Sequence, residues 1–263
     1  MASKRQQRHD AVPAHVSALA PLVLLATLVG IWWLATSLTA VQPWMLPSPG
    51  DFIVRFWSEI HRPTLWASLW ITLHEAVLGC LVGAAVALPL SYAIYRFKYF
   101  SAAVEPFLGA TQAIPAIALA PLLVLWVGYG LGAIVALCTL IVFFPILVSS
   151  TVGLRHLDRD VLDAARLDGA SGLSLLIFVE GPLALPSILA GLRNGFTLSV
   201  TGAVVGEMVM GGQGLGTLLT IQRNSVDTTG MFVTIALLCL LAMTAYSLIY
   251  LFERQSKLVN YSH

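Results

Sequence analysis

Four ionisable residues fall at expected membrane depth: His74, Glu75, Arg193 and Glu207. At the centre of a bilayer a charged group costs at least ~2.5 kcal/mol unless it is paired or hydrated, so such residues mark solute paths, proton relays or internal pairs. Glu75 is open to two readings, a contact for a passing solute or a residue near a span end that reaches interfacial water or a partner charge. Glu207 either faces the same path or ties down the glycine turn that follows it. Thr111 and Gln112, in a proline-rich stretch, are further pathway candidates, and Arg193 reads as a side chain that snorkels from a span end.

Enzyme chemistry finds no footing. His74-Glu75 lacks the second histidine of a His-Glu-x-x-His zinc site, and the other histidines lie near the termini or in surface loops. Cys80, Cys138 and Cys239 stand far apart in apolar runs, without the spacing of a metal site or a disulfide framework; they read as small buried hydrophobes. A P-loop needs a lysine followed by Ser or Thr, whereas Lys4, Lys98 and Lys257 precede Arg, Tyr and Leu. Any ATP must therefore be bound by another polypeptide, and the chain itself is expected to hold no cofactor and no metal. Gly211-Gly-Gln-Gly214-Leu-Gly216 follows an apolar span rather than a strand, which excludes a dinucleotide fingerprint and leaves a flexible external turn.

The elements that position these residues are membrane helices. Of 263 residues, 58% are hydrophobic and 10% charged, with a mean hydropathy of +0.85, far from the roughly one-quarter charged content of a soluble domain. A net charge of +1 without a basic stripe argues against nucleic acid as a partner. Taking ~20 apolar residues per crossing predicts six spans, at 16–38, 69–95, 104–127, 131–154, 183–209 and 231–252. The first is too long for the roughly 7 to 15 apolar residues of a signal peptide and reads as a retained span. Pro106, Pro115 and Pro121 should break the third, which is tolerated only where protein or a wet cavity satisfies the freed backbone groups. Gly79 and Gly83 form a small-xxx-small face for close helix packing, and Trp126 and Tyr129 fit an interfacial aromatic belt.

Lysine and arginine favour cytoplasmic loops. With the N-terminus inside, Lys4, Arg5, Arg8, Arg96, Lys98, Arg155, Arg159, Arg166, Arg254 and Lys257 fall on the cytoplasmic side, and only Arg55, Arg62 and Arg223 fall outside. The expected organisation is a cytoplasmic tail (1–15), one transmembrane domain (16–252) with a cytoplasmic loop at 155–182, and a second cytoplasmic tail (253–263). Outside, Leu46-Pro-Ser-Pro49 makes a stiff corner, and 50–61 alternates Phe52, Phe56, Trp57 and Ile60 with Asp51, Arg55 and Glu59 at the spacing of an interfacial amphipathic helix.

The loop carries unusual local order. Acidic residues open a helix at 158–168, Gly169 sits where a left-handed cap favours glycine, and Ser171 can cap a second helix running into Pro182. Ala164, Ala165, Gly169 and Ala170 keep its surface low in bulk. A plain connector of this length needs none of these features; the loop reads as a docking element.

That run resembles the Glu-Ala-Ala-xxx-Gly-x9-Ile-x-Leu-Pro loop of the permease subunits of bacterial ATP-binding-cassette importers. Asp163 stands in the Glu slot, Ala164, Ala165, Gly169 and Pro182 match, and Val179 and Gly181 replace Ile and Leu. Leu46-Pro-Ser-Pro49, Ile114-Pro115, the Ala120-Pro121 to Gly128 run, and Gly191-Leu-Arg-Asn-Gly195 on to Glu207 and Gly214-Leu-Gly216 are similar to the group serving nitrate, sulfonates, taurine and thiamine-pyrimidine precursors. The resemblance implies an all-α, polytopic, type I importer permease in the bacterial inner membrane, surrounded by lipid and paired with a second permease copy. It implies cytoplasmic ATPase subunits docked on the loop and an extracytoplasmic substrate-binding protein, with a lean towards a pyrimidine or other vitamin precursor as cargo. An ion-coupled secondary transporter working through Glu75 or Glu207, and a membrane-embedded enzyme, are the competing readings.

Overall fold

The computed structural model describes residues 14–38, 42, 44–112 and 115–255, which form helices joined by short turns with no strand among them. Four helical runs are long and apolar enough to cross a membrane: Pro63–Arg96, Leu131–Arg155, Gly172–Met210 and Thr228–Leu251. Shorter apolar helices at Leu22–Ser37 and Ala116–Val127 stand where the first and third spans are expected. The helices are α1 (Ala14–Ser37), α2 (Pro49–Ile60), α3 (Pro63–Arg96), α4 (Lys98–Gln112), α5 (Ala120–Val127), α6 (Leu131–Arg155), α7 (Arg159–Leu167), α8 (Gly172–Leu175), α9 (Gly181–Met210), α10 (Leu215–Asn224) and α11 (Thr228–Gln255).

Prolines divide the third span as their chemistry requires. Pro106 lies within α4, Pro115 precedes a 3-10 turn at Ala116–Leu119, and Pro121 occupies the first turn of α5, where its missing N–H has no intrahelical partner to lose. Two short helices therefore replace one crossing helix. Thr111 and Gln112 close α4, and their side chains lie outside the described residues.

The core is a trio in which α6 packs along both α3 and α9. Ile134, Leu137, Cys138, Val142, Ile146 and Leu147 of α6 are buried completely against Ala76, Ala87 and Ala203. Close approach comes from small residues, because lipid supplies no hydrophobic drive between helices and packing must do the work. A Cβ on Gly79 would strike Cys138, and one on Gly83 would press on Val142, so α6 is the partner of that glycine pair. Ser199 Oγ donates to Ala76 O at 2.7 Å and Thr139 Oγ1 to Gly79 O at 3.3 Å, stitching the three helices across apolar surroundings.

A second, smaller cluster of Leu65, Leu215, Val233 and Leu237 joins the start of α3 to α10 and α11, with Phe52 and Phe56 of α2 packed on it. Ser48 caps α2 and Pro49 opens it. Arg55 then reaches Glu59 at 3.0 Å and Asp227 at 2.7 Å, fixing α2 to the entry of α11.

Candidate functional sites at the two ends of the bundle

At one end α6 leaves the bundle, and the polar loop turns back into α9. Asp158 Oδ1 accepts from Asp160 N at 2.9 Å and caps α7. The helix ends at Asp168, and Gly169 adopts φ +91°, the left-handed cap its sequence position called for. Ala170 N donates to Ala165 O at 2.9 Å, closing the turn. Ser174 Oγ accepts from Ser171 N at 3.0 Å and donates to Ser171 O at 2.8 Å, which starts α8.

Among the loop's leucines only Leu162 and Leu175 are buried. Leu167 is 89% exposed, and Val161 and Leu173 are exposed with it. Asp163 pairs with Arg166 at 2.7 Å across one helical turn, an exposed ion pair worth roughly 0.3–0.5 kcal/mol. The shorter acid in the motif's Glu position thus stays within its own helix. Ala164 is exposed and Ala165 half-buried, as are Ser171 and Ala170 respectively. The structure therefore brings Asp163, Ala164, Ala165, Gly169, Ala170 and Ser171 onto one projecting unit, while Pro182 lies beyond it in the first turn of α9.

Beyond α8 the chain winds as a π turn, Leu176–Glu180, in which Gly181 N–H donates to Leu176 O. A Cβ at position 181 would stand 2.8 Å from that carbonyl oxygen. This explains glycine where the related motif has leucine: the wider turn leaves no room for a side chain. Gly181→Leu is expected to force the turn to rearrange, lowering stability by about 1–3 kcal/mol as overpacked substitutions do. A detergent-solubilised melting curve matching the unaltered chain would contradict it.

Glu180, 2% exposed, accepts from Tyr95 OH at 3.2 Å and so ties the loop's return to the end of α3. Sequence reasoning missed this acid; its only sign was a lone charge in an apolar run. Around it lies a cleft of about 930 Å³ whose walls include Arg96, Lys98, Arg155, Arg159 and Arg166 beside Asp163.

The opposite end is organised by Glu207. It is 1% exposed, near the end of α9. Its Oε1 accepts from Thr72 Oγ1 at 2.7 Å, and its Oε2 accepts from Gly216 N at 2.6 Å and Thr217 N at 3.3 Å. Leu215 N donates to Thr72 Oγ1 at 2.8 Å. The first three N–H groups of α10, which no helix can satisfy internally, are thus met by one carboxyl and one hydroxyl from two other helices. Gly214 and Gly216 make this possible, since a Cβ on the first would occupy the Glu207–Thr72 contact and one on the second would strike Val204 O. The turn at 211–216 is therefore pinned to the bundle rather than free.

Glu75, 3% exposed, packs beside the Glu207 carboxyl from α3. Its Oε2 has no hydrogen-bond donor among the described residues. Glu75 also borders a pocket of about 590 Å³ opening at this end between α3, α6 and the 211–213 turn. Tyr129, assigned to the interfacial belt on sequence, lines that pocket, whereas Trp126 does not. Arg193 lies elsewhere, over the rings of Tyr246 and Tyr250 on α11, at 4.8 Å and 5.6 Å from their centroids.

Residues 77–257 match the model of the family described as binding-protein-dependent transport system inner membrane component. The chain is 40% identical over 234 residues to the riboflavin transport system permease protein RibX of Chloroflexus aurantiacus, covering 89% of this chain and 87% of that one. It is 33% identical to the formylaminopyrimidine transport permease protein ThiX of Halalkalibacterium halodurans, over 88% of this chain and 92% of that one. A solved structure of the MetNI methionine ABC transporter, in an inward-facing conformation, superposes with a TM-score of 0.65 at 22% identity, over 73% of this chain and 95% of that one, a likeness of fold.

Proposed function

Because the chain belongs to the family of binding-protein-dependent transport system inner membrane components, we propose that two copies of it form the translocation path of an ATP-driven importer. It is a multi-pass inner-membrane protein, and in this reading both termini face the cytoplasm. Loop 155–182 then docks the ATPase subunits, which bind the ATP, while a substrate-binding protein delivers a small solute at the Glu207 end. The 40% identity to the relative named for riboflavin supports a heterocyclic vitamin or its precursor as cargo.

The observation that carries this reading is the loop itself. A capped helix projects from the bundle with Leu167, Val161 and Leu173 open to solvent, and its alanines and glycine keep its surface low. Such exposed apolar residues on an ordered, polar-flanked element mark a surface that a partner covers.

Cross-linking tests it. In a Cys239→Ser background, where the remaining Cys80 and Cys138 are buried, Ala164→Cys is expected to cross-link to the co-expressed ATPase subunit. A cysteine at Leu125, exposed on α5, should not. Equal cross-linking at both positions, or none at Ala164, would remove the docking assignment.

A further inference from the structure

The pocket beside Glu75 has a lining of distinct chemistry. Trp70 and Tyr129 stand at its walls, exposed by more than half and 83% respectively. His74 and Gln213 add side-chain polar groups, and Glu75 contributes a buried carboxyl whose Oε2 has no donor among the described residues. Glu75 and Glu207 set two carboxyls side by side, a pair rich in acceptors to which a ligand's N–H groups can donate. Among the described lining residues there is no lysine or arginine. Of the arginines at this end, Arg55 and Arg62 bind Glu59, Arg223 is exposed on α10, and none of the three lines the pocket.

We infer that this pocket is a cargo-holding site for an uncharged planar nitrogen heterocycle. Its ring stacks against Trp70 and Tyr129, and its N–H donors meet Glu75. Aromatic walls suit any flat π-face, and the acceptor supplies the polarity that a ring bearing amide or amino hydrogens needs. A sulfonate fits poorly, since it brings a full negative charge and only acceptors beside the neighbouring Glu75 and Glu207 carboxyls, with no lysine or arginine in the lining to receive it. The volume, about 590 Å³, lies within the usual range for small-ligand pockets. This inference rests on the reading of the chain as a permease and adds to it a site and a chemical class.

Binding to the full-length chain in lipid nanodiscs, without ATPase or ATP, tests it. The probes are riboflavin, formylaminopyrimidine and ethanesulfonate, measured by equilibrium dialysis. At least one heterocycle is expected to bind saturably, with affinity falling about tenfold or more in Tyr129→Ala, as loss of a stacking ring does, and in Glu75→Ala. Ethanesulfonate should neither bind there nor displace the heterocycle. Tyr129 is exposed, so that variant keeps the test valid even if Glu75→Ala disturbs folding. Absence of saturable heterocycle binding, ethanesulfonate competition, or an affinity unchanged by Tyr129→Ala would each overturn the inference. ATP-dependent uptake by the complete assembly reports on the permease reading separately: uptake that persists unchanged in Tyr129→Ala and Glu75→Ala discards this pocket and leaves that reading standing.

Discussion

Glu207→Ala is expected to destabilise the chain by ~3 kcal/mol or more, because each buried donor left unpaired costs about 1–3 kcal/mol. The substitution strands Gly216 N–H and Thr217 N–H together, while the Thr72 hydroxyl keeps Ser68 O as an acceptor at 3.2 Å, and the glycines around them bring no side chain to fill the space. At 1.4 kcal/mol per tenfold, that shifts the unfolding equilibrium by more than a hundredfold. The damage should concentrate in α10, whose N-terminus loses its caps. Limited proteolysis should therefore cut first at 211–224, and Glu207→Gln, which keeps one acceptor oxygen, should lose clearly less. Equal loss in the two variants, or first cleavage elsewhere, would show that Glu207 does not hold this turn.

Gly169→Val should act at the other end and in a different way. A β-branched residue at φ +91° is strained, at a cost of about 1–3 kcal/mol, yet nothing lies within 4 Å of the position to clash with it. The bundle should fold and insert as before while the α7 cap distorts and bulk appears on the low surface. Recovery of the ATPase with the affinity-purified chain is expected to fall at least about tenfold, the consequence of ~1.4 kcal/mol lost at an interface. Gly169→Ala should show a smaller loss. Undiminished ATPase recovery and uptake in Gly169→Val would count against docking through this loop.

What the sequence made legible was what local chemistry decides. Asp158, Gly169 and Ser171 announced the loop's caps because each acts on backbone groups within a few residues of itself. Pro115 and Pro121 announced the broken third span for the same reason. The buried acids were less legible. Glu207 meets Thr72 across 135 positions and Glu180 meets Tyr95 across 85, and no spacing rule connects residues on different helices. The glycine-rich stretch at 211–216 read as a flexible turn because glycine is permissive; here two of its glycines instead make room for the Glu207–Thr72 tie and the Val204 carbonyl. Gly181 departed from the related motif for a reason visible only once the Leu176–Glu180 π turn was formed.

The central claim, that this chain is the membrane path of an ATP-powered importer, is tested most directly by solute uptake into vesicles reconstituted with and without the ATPase subunit. Riboflavin and formylaminopyrimidine should be supplied with the cognate binding protein. Uptake that requires both the ATPase and ATP, and that is unaffected by collapsing the proton and sodium gradients, is the predicted result. Gradient-driven uptake by the chain alone would contradict it and favour an ion-coupled carrier instead.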